Sequence, residues 1–280
     1  MVNISAALVK ELRDSTNVGM MECKRALIEA GGDKARAIII LRERGMAIAE
    51  KKTARAAKQG IIDSVLLQDG QTGSMIEVNC ETDFVARNET FKSFVRVLTE
   101  KAATIDETLS KVAADDVRAK IAEIGENIVI RRNIRYVLEG TGVIAAYIHH
   151  GNTIGVLTEI GCQKSETVAS NVFKELSKDI CLHIAASNPK YLDSNSIQAD
   201  VIEVEQSIYA KQVKNKPANI INKIVEGKMQ KFYQQVCLLN QLFVKDQEKT
   251  IADLLKEKGI ELNDILSVRR FVRFQVGEAF

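Results

Sequence analysis

The sequence has 280 residues, 46% of them apolar and 27% charged, so it can bury a real core and is neither disordered nor fibrous. Its 39 Lys and Arg against 37 Asp and Glu leave a formal charge of +2, which demands no polyanionic partner. The five cysteines are odd in number and contain no C-x-x-C pair, which excludes an obvious disulfide framework or cysteine zinc site. No window reaches the roughly 18 apolar residues of a membrane span. The start at Met1 lacks a basic segment followed by an apolar one, so a cytoplasmic protein is expected.

Residues 1 to 46 predict three short helices. Ile4, Leu8, Val9 and Leu12 follow a 3.6-residue period, and Met20, Cys23 and Leu27 share a face of the second helix. Gly31-Gly32 stops that helix, Asp33 caps a third carrying Ala37, Ile38 and Leu41, and Gly45 is expected to end it. So small a bundle suits a docking module better than a catalytic domain. Residues 47 to 59, with Lys51, Lys52, Arg55 and Lys58 among alanines, read as a basic helical linker.

The body repeats itself. At an offset of 82 residues, the distance from Gly60 to Gly142, Ile62 meets Ile144, Gly73 meets Gly155, Glu77 meets Glu159 and Cys80 meets Cys162. Phe91 meets Phe173 and Ala103 meets Ala185 in the same register. Each copy predicts strand, turn, strand and helix: Ile61 to Leu67 and Ser74 to Asn79, then Val143 to His149 and Gly155 to Ile160. Asp69-Gly70 and Gly151-Asn152 mark the turns. Arg131-Arg132 followed by Ile134, Tyr136 and Leu138 is echoed by Arg269-Arg270 followed by Val272, Phe274 and Val276, a strand with one buried face. The fold class expected is α+β: two related units, over 60–140 and over 141–187 with 236–280, each a three-stranded antiparallel sheet covered by helices. Residues 188 to 235 predict an inserted antiparallel helical hairpin turning at Lys214-Asn215-Lys216-Pro217. Val201, Val204 and Ile208 on one helix would face Ile220, Ile221, Ile224 and Val225 on the other.

No catalytic constellation stands out. His149, His150 and His183 lack metal-ligand spacing, and His183 sits in an apolar helical run that suits a hydrogen-bonded core. There is no phosphate-binding loop, dinucleotide fingerprint or nucleophile elbow. Cys80 and Cys162, at equivalent strand ends, read as buried structural thiols. A protein that is not an enzyme and needs neither cofactor nor metal is therefore expected. The segment Cys80-Glu81-Thr82-Asp83-Phe84-Val85-Ala86 differs. Thr82 or Asp83 can cap the helix that follows, yet Phe84 and Val85 lie in a polar stretch, and the second copy has no aromatic there. An aromatic present in one of two matching loops points to a partner.

These residues resemble the elongation factor Ts family. Leu8-Val9-Lys10-Glu11-Leu12-Arg13 with Gly19-Met20-Met21-Glu22-Cys23-Lys24 is similar to its N-terminal signature, and Glu77 to Ala86 to its second. Gly125-Glu126-Asn127-Ile128 and Val225-Glu226-Gly227-Lys228-Met229 are similar to further segments, in family order. Asn17-Val18 stands where the family has Gly-Ala, and Leu242 where a proline is usual. The sequence also reaches Phe280 soon after the last predicted strand, without the extra C-terminal helix of some members. The resemblance implies a nucleotide exchange factor that binds elongation factor Tu carrying GDP and opens its magnesium and phosphate site so that GTP can rebind. It implies docking through Leu12, Met20 and Met21, and a wedge of Thr82, Asp83, Phe84 and Val85. The rival reading, a nucleic-acid-binding protein of the translation apparatus, rests on the basic run. Near-neutral charge and the lack of an aromatic stacking platform oppose it.

Overall fold

The computed structural model of the chain describes residues 4–16, 18–67, 70–213 and 217–279. The predicted positions Asn17, Asp69, Lys214, Asn215, Lys216 and Phe280 lie outside the described residues. Three helices open the chain: α1 (Ala6–Thr16), α2 (Met20–Glu29) and α3 (Lys34–Lys52). Their apolar faces meet in a small core of Val9, Leu12, Cys23, Leu27 and Leu41. Positive φ at Gly31 and Gly32 ends α2, and the Asp33 carboxylate accepts the Arg36 N–H at 3.1 Å to start α3.

The first repeat unit comprises β1 (Gln59–Leu66), β2 (Thr72–Cys80), α4 (Asp83–Arg87), α5 (Glu89–Thr104), α6 (Leu109–Val112), α7 (Ala114–Ile124) and β3 (Val129–Val137). Its sheet is antiparallel in the order β1-β2-β3. The second has β4 (Gly142–Ile148), β5 (Ile154–Gly161), α8 (Ser165–Ala169) and α9 (Asn171–Ser187). A helical pair follows, α10 (Ala199–Gln212) and α11 (Ala218–Val236), then a short ribbon of β6 (Leu242–Phe243) and β7 (Asp246–Thr250). The chain closes with α12 (Ile251–Glu261) and β8 (Ser267–Gln275), giving a sheet in the order β4-β5-β8. The fold is α+β, with small antiparallel sheets covered by helices. The ribbon and α12 have no counterpart in the predicted elements. The α12 helix occupies the place that α7 holds in the first unit, and the Thr250–Asp253 capping box starts it.

Each sheet buries both faces. Ile61, Ile76 and Val78 pack beneath α5 around Phe91 and Leu98, and Val156, Ile160 and Val268 pack beneath α9 around Phe173 and Ile180. The opposite faces meet each other, bringing Ile62, Met75 and Tyr136 against Ile144, Leu157 and Phe274. The repeated glycines make this contact possible. A Cβ on Gly73 would lie 2.8 Å from Ile144 Cγ2, and one on Gly155 would lie 2.5 Å from Ile62 Cγ2.

Gly60 and Gly142 repeat for a different reason. Both have φ of +155°, and a Cβ would fall 2.3 Å from the Val78 carbonyl oxygen at Gly60 and 2.2 Å from that of Ile160 at Gly142. The obstruction is main chain held in the sheet, so it cannot swing aside. Gly60→Ala is expected to destabilise the protein by about 2 kcal/mol through strain at the β1–β2 pairing. Chemical denaturation of the variant beside the parent checks this value.

Three expectations need correction. Gly45 does not end the third helix, which continues to Lys52. Instead Gly45 lets α3 approach α7, where a Cβ would stand 2.8 Å from Ala122 Cβ. The basic run, expected as a helical linker over 47–59, is helical only to Lys52 at the end of α3, and it is tied down in part: Lys52 Nζ donates to the Gly125 carbonyl, and Arg55 lies 3.5 Å from Glu81. In the hairpin, Val204, Ile208 and Ile220 are exposed, so they do not form the seam. Along α10 the half-buried positions are Val201, Ile202, Glu205 and Tyr209, so of the predicted seam residues Val201 keeps its place on α10, and Ile221, Ile224 and Val225 keep theirs on α11. Lys228 of α11 stands 5.4 Å from the Tyr209 ring.

Candidate functional site

The β2 strand ends at Cys80 and reaches α4 through Glu81 and Thr82. Two carboxylates, one on each side, hold this corner through four hydrogen bonds. The Glu126 carboxylate accepts the backbone N–H of Glu81 and of Thr82, each at 3.0 Å, and the Thr82 hydroxyl at 2.6 Å. In return the Glu81 carboxylate accepts the Asn127 N–H at 2.7 Å. Bonds to an ionised acceptor are about twice as strong as neutral ones. Beneath the corner the Cys80 thiol donates to the Thr82 carbonyl at 3.2 Å, and burial, aided by the Glu126 charge, pushes its pKa up to about 12. It is a structural thiol, as expected.

On this platform Thr82 caps α4, its hydroxyl accepting the Val85 N–H at 3.4 Å. Val85 and Ala86 turn inward against the first unit's core, while Asp83 pairs with Arg87 one turn on at 3.1 Å. Phe84 points the other way and is 82% exposed. The structure thus brings Thr82, Asp83, Phe84 and Val85 together on one short helix, with only the aromatic fully presented to solvent.

The second unit builds the same corner without the aromatic. There the Asp264 carboxylate accepts the N–H groups of Gln163 and Lys164 at 3.0 Å each and the Thr167 hydroxyl at 2.5 Å. Burial opposes ionisation of Asp264, but the Thr167 hydroxyl and the backbone donors outweigh it and hold the pKa at about 2. Glu166 occupies the position of Phe84. The clasped corner is therefore a property of the fold, and the exposed phenyl ring is not needed to make it. Sequence reasoning missed the Glu126 clasp, although Glu126 and Asp264 share the register that aligns Arg131 with Arg269.

The N-terminal candidates separate. Met20 and Met21 are exposed at the start of α2, but Leu12 is fully buried between the helices. Leu12 lies inward with the 3.6-residue apolar stripe it belongs to, its side chain holding α1 against α2 behind the surface that Met20 and Met21 present.

The histidines offer no catalytic set. His183 is buried, its Nε2–H donating to Gln241 Oε1 at 3.0 Å while its Nδ1 accepts the Val244 N–H at 3.3 Å. Burial lowers its pKa against the opposing pull of Gln241, so the ring is neutral. His149 and His150 are exposed in the turn after β4, with His149 Nδ1 3.0 Å from the Tyr147 hydroxyl. Among the described residues no helix is long and apolar enough to cross a membrane.

Comparison with known proteins bears on this geometry. The family model described as elongation factor TS matches residues 81–278, which begin at the clasped corner. An elongation factor Ts of a Nitratiruptor species is 45% identical over 287 residues, covering 98% of this chain and 93% of the relative. One from Clostridium botulinum is 42% identical over 288 residues, with the same shares covered. One from Clostridium acetobutylicum is 43% identical over 289 residues, again covering 98% of this chain and 93% of the relative. Family match, near-complete coverage and the doubled α+β body agree: the chain belongs to the elongation factor Ts family of translation factors.

Proposed function

We propose that the chain binds elongation factor Tu in its GDP-bound state and accelerates release of GDP, leaving the emptied site to GTP. The observation that carries this reading is Phe84, an aromatic ring 82% exposed on a helix whose base is clasped by Glu126. A GTPase holds GDP through phosphate-loop amides and a magnesium ion bridging phosphate and protein. A factor that binds best when this site is distorted lowers nucleotide affinity by its differential affinity for the two states. Linkage makes the effect reciprocal, so GTP rebinding also expels the factor.

In this scheme Phe84 is the wedge that enters between elements of the GTPase, and Asp83 brings negative charge beside it. Thr82 caps the short helix and Val85 anchors it to the core. Met20 and Met21 dock the N-terminal helices, with Leu12 fixing the surface they share. The proposed division follows: a docking module over 1–46, a basic linker over 47–59, core units over 60–140 and over 141–187 with 236–280, and the hairpin over 188–235 as a second grip. The scheme places no nucleotide, metal or other cofactor on this chain and calls on no membrane or nucleic acid.

The test is stopped-flow release of fluorescent GDP from elongation factor Tu of the same source. Saturating chain is expected to raise the release rate by about 100-fold, the upper range of ordinary coupling between two ligands. A folded chain that leaves the rate unchanged overturns the proposal.

A further inference from the structure

We propose that the second repeat unit carries a docking groove for an amphipathic helix of a partner protein, one presenting a small residue followed by methionine or leucine. The groove lies between α12 and the start of β8 and holds about 690 Å³. Its counterpart lies between α7 and β3. The two share their floor, since Leu255, Leu266 and Val268 take the places of Val117, Ile128 and Ile130.

The copies differ in what lies beside them. In the first unit α3 runs along α7, with Gly45 against Ala122 and with Met46 and Thr53 walling the groove, which is narrowed to about 480 Å³. In the second unit no element among the described residues stands in the place of α3. Ile260, at the position of Ala122, is 74% exposed, and Ile265 on the facing lip is 65% exposed. Gly259, at the position of Ile121, deepens the floor between them. A Cβ there would meet the Asp264 carbonyl oxygen at 2.7 Å.

Two large aliphatic side chains left in water beside an apolar trough form the kind of patch that marks an interaction surface. The occupied copy indicates its occupant. A helix lies against the first groove, a small residue meets the covering position of α7, and a thioether forms the outer wall. A helix on the second unit would set its small residue over Ile260 and its methionine or leucine in the trough, a helix-in-groove mode of recognition. The α3 helix of a second copy is not available for this, because its Gly45 face is already buried against α7. The groove belongs to the second unit alone and does not depend on Phe84.

The test uses the full chain with isotopically labelled isoleucine methyl groups, titrated with a synthetic peptide of residues 34–53 as the helical probe. Saturable shifts of Ile260 and Ile265, with Ile121 and Ile128 unmoved, are the expected result. Ile265→Asp in the chain, an exposed position whose change leaves the fold intact, and Met46→Asp in the peptide should each weaken binding by about tenfold or more. The proposal is overturned if no shift saturates, or if Ile121 and Ile128 move because the peptide displaces α3. It is equally overturned if Ile265→Asp leaves binding unchanged, or if the same shifts arise from raising the chain concentration without peptide.

Discussion

Phe84→Ala is expected to slow catalysed release of GDP from elongation factor Tu by about 30-fold, the scale of losing one hot-spot aromatic at an interface. Fold stability should not change, because the ring is 82% exposed and the corner beneath it is held by Glu126, Glu81 and Thr82. This separation makes the experiment decisive: a loss of exchange with an unaltered unfolding midpoint cannot come from a damaged scaffold. Binding of the nucleotide-free GTPase should weaken in the same proportion if the ring stabilises the open state. Asp83→Ala, whose carboxylate is shared with Arg87 at 3.1 Å, is expected to fall in the same direction by a smaller factor. Exchange unaffected by Phe84→Ala would retain the family function and move the wedge elsewhere on the chain.

The repeat made much of this architecture legible, because matched glycines, isoleucines and phenylalanines fix strand and helix order without knowledge of contacts. What lay beyond reach was the identity of neighbours. Alternation at Ile134, Tyr136 and Leu138 announces a buried face, but not that the other unit's sheet buries it. A glycine inside a helical pattern reads as a stop, yet Gly45 is a contact with α7 more than seventy residues away in sequence. Leu12, Met20 and Met21 are all apolar residues on short helices, and only the packed bundle separates the first from the other two. Phe84 was legible because its repeat partner, Glu166, supplied an internal control for what the fold requires. The clasp by Glu126 was not, since the sequence shows only a repeated acid, Glu126 matching Asp264, and the register does not say which backbone N–H groups that carboxylate holds.

Adjacent arginines conceal a second device, and it gives the largest expected effect on stability. Neighbouring residues on a strand point to opposite faces, so Arg269 and Arg270 should not both reach one carboxylate. A bulge between the β5 and β8 registers inserts Arg269 as an extra residue, and both guanidinium groups then turn to the fully buried Glu159, at 2.9 Å and 2.8 Å. The first unit repeats it, with Arg132 at 2.7 Å and Arg131 at 3.8 Å from the buried Glu77. Each pair then reaches across. Arg132 lies 4.2 Å from the Phe274 ring and Arg270 lies 4.4 Å from that of Tyr136, so the carboxylates position cations that join the two sheets. Removing one member of such a buried set strands the others, at about 3–5 kcal/mol in general. Partial exposure of both arginines reduces this, and Glu159→Ala is expected to lower stability by about 3 kcal/mol. Acid supplies an independent check. Burial opposes ionisation of Glu159, but the Glu139 N–H and the two arginines outweigh it and hold the pKa below the ordinary 4.5. The contribution is therefore complete above pH 4.5 and is lost as pH falls through the lowered folded value. The stability gap between parent and Glu159→Ala, followed by denaturation from pH 7 downward, should stay level and then narrow below about pH 4.5. A gap that stays constant into that acid range would place the stabilisation in packing, not in the ionised cluster.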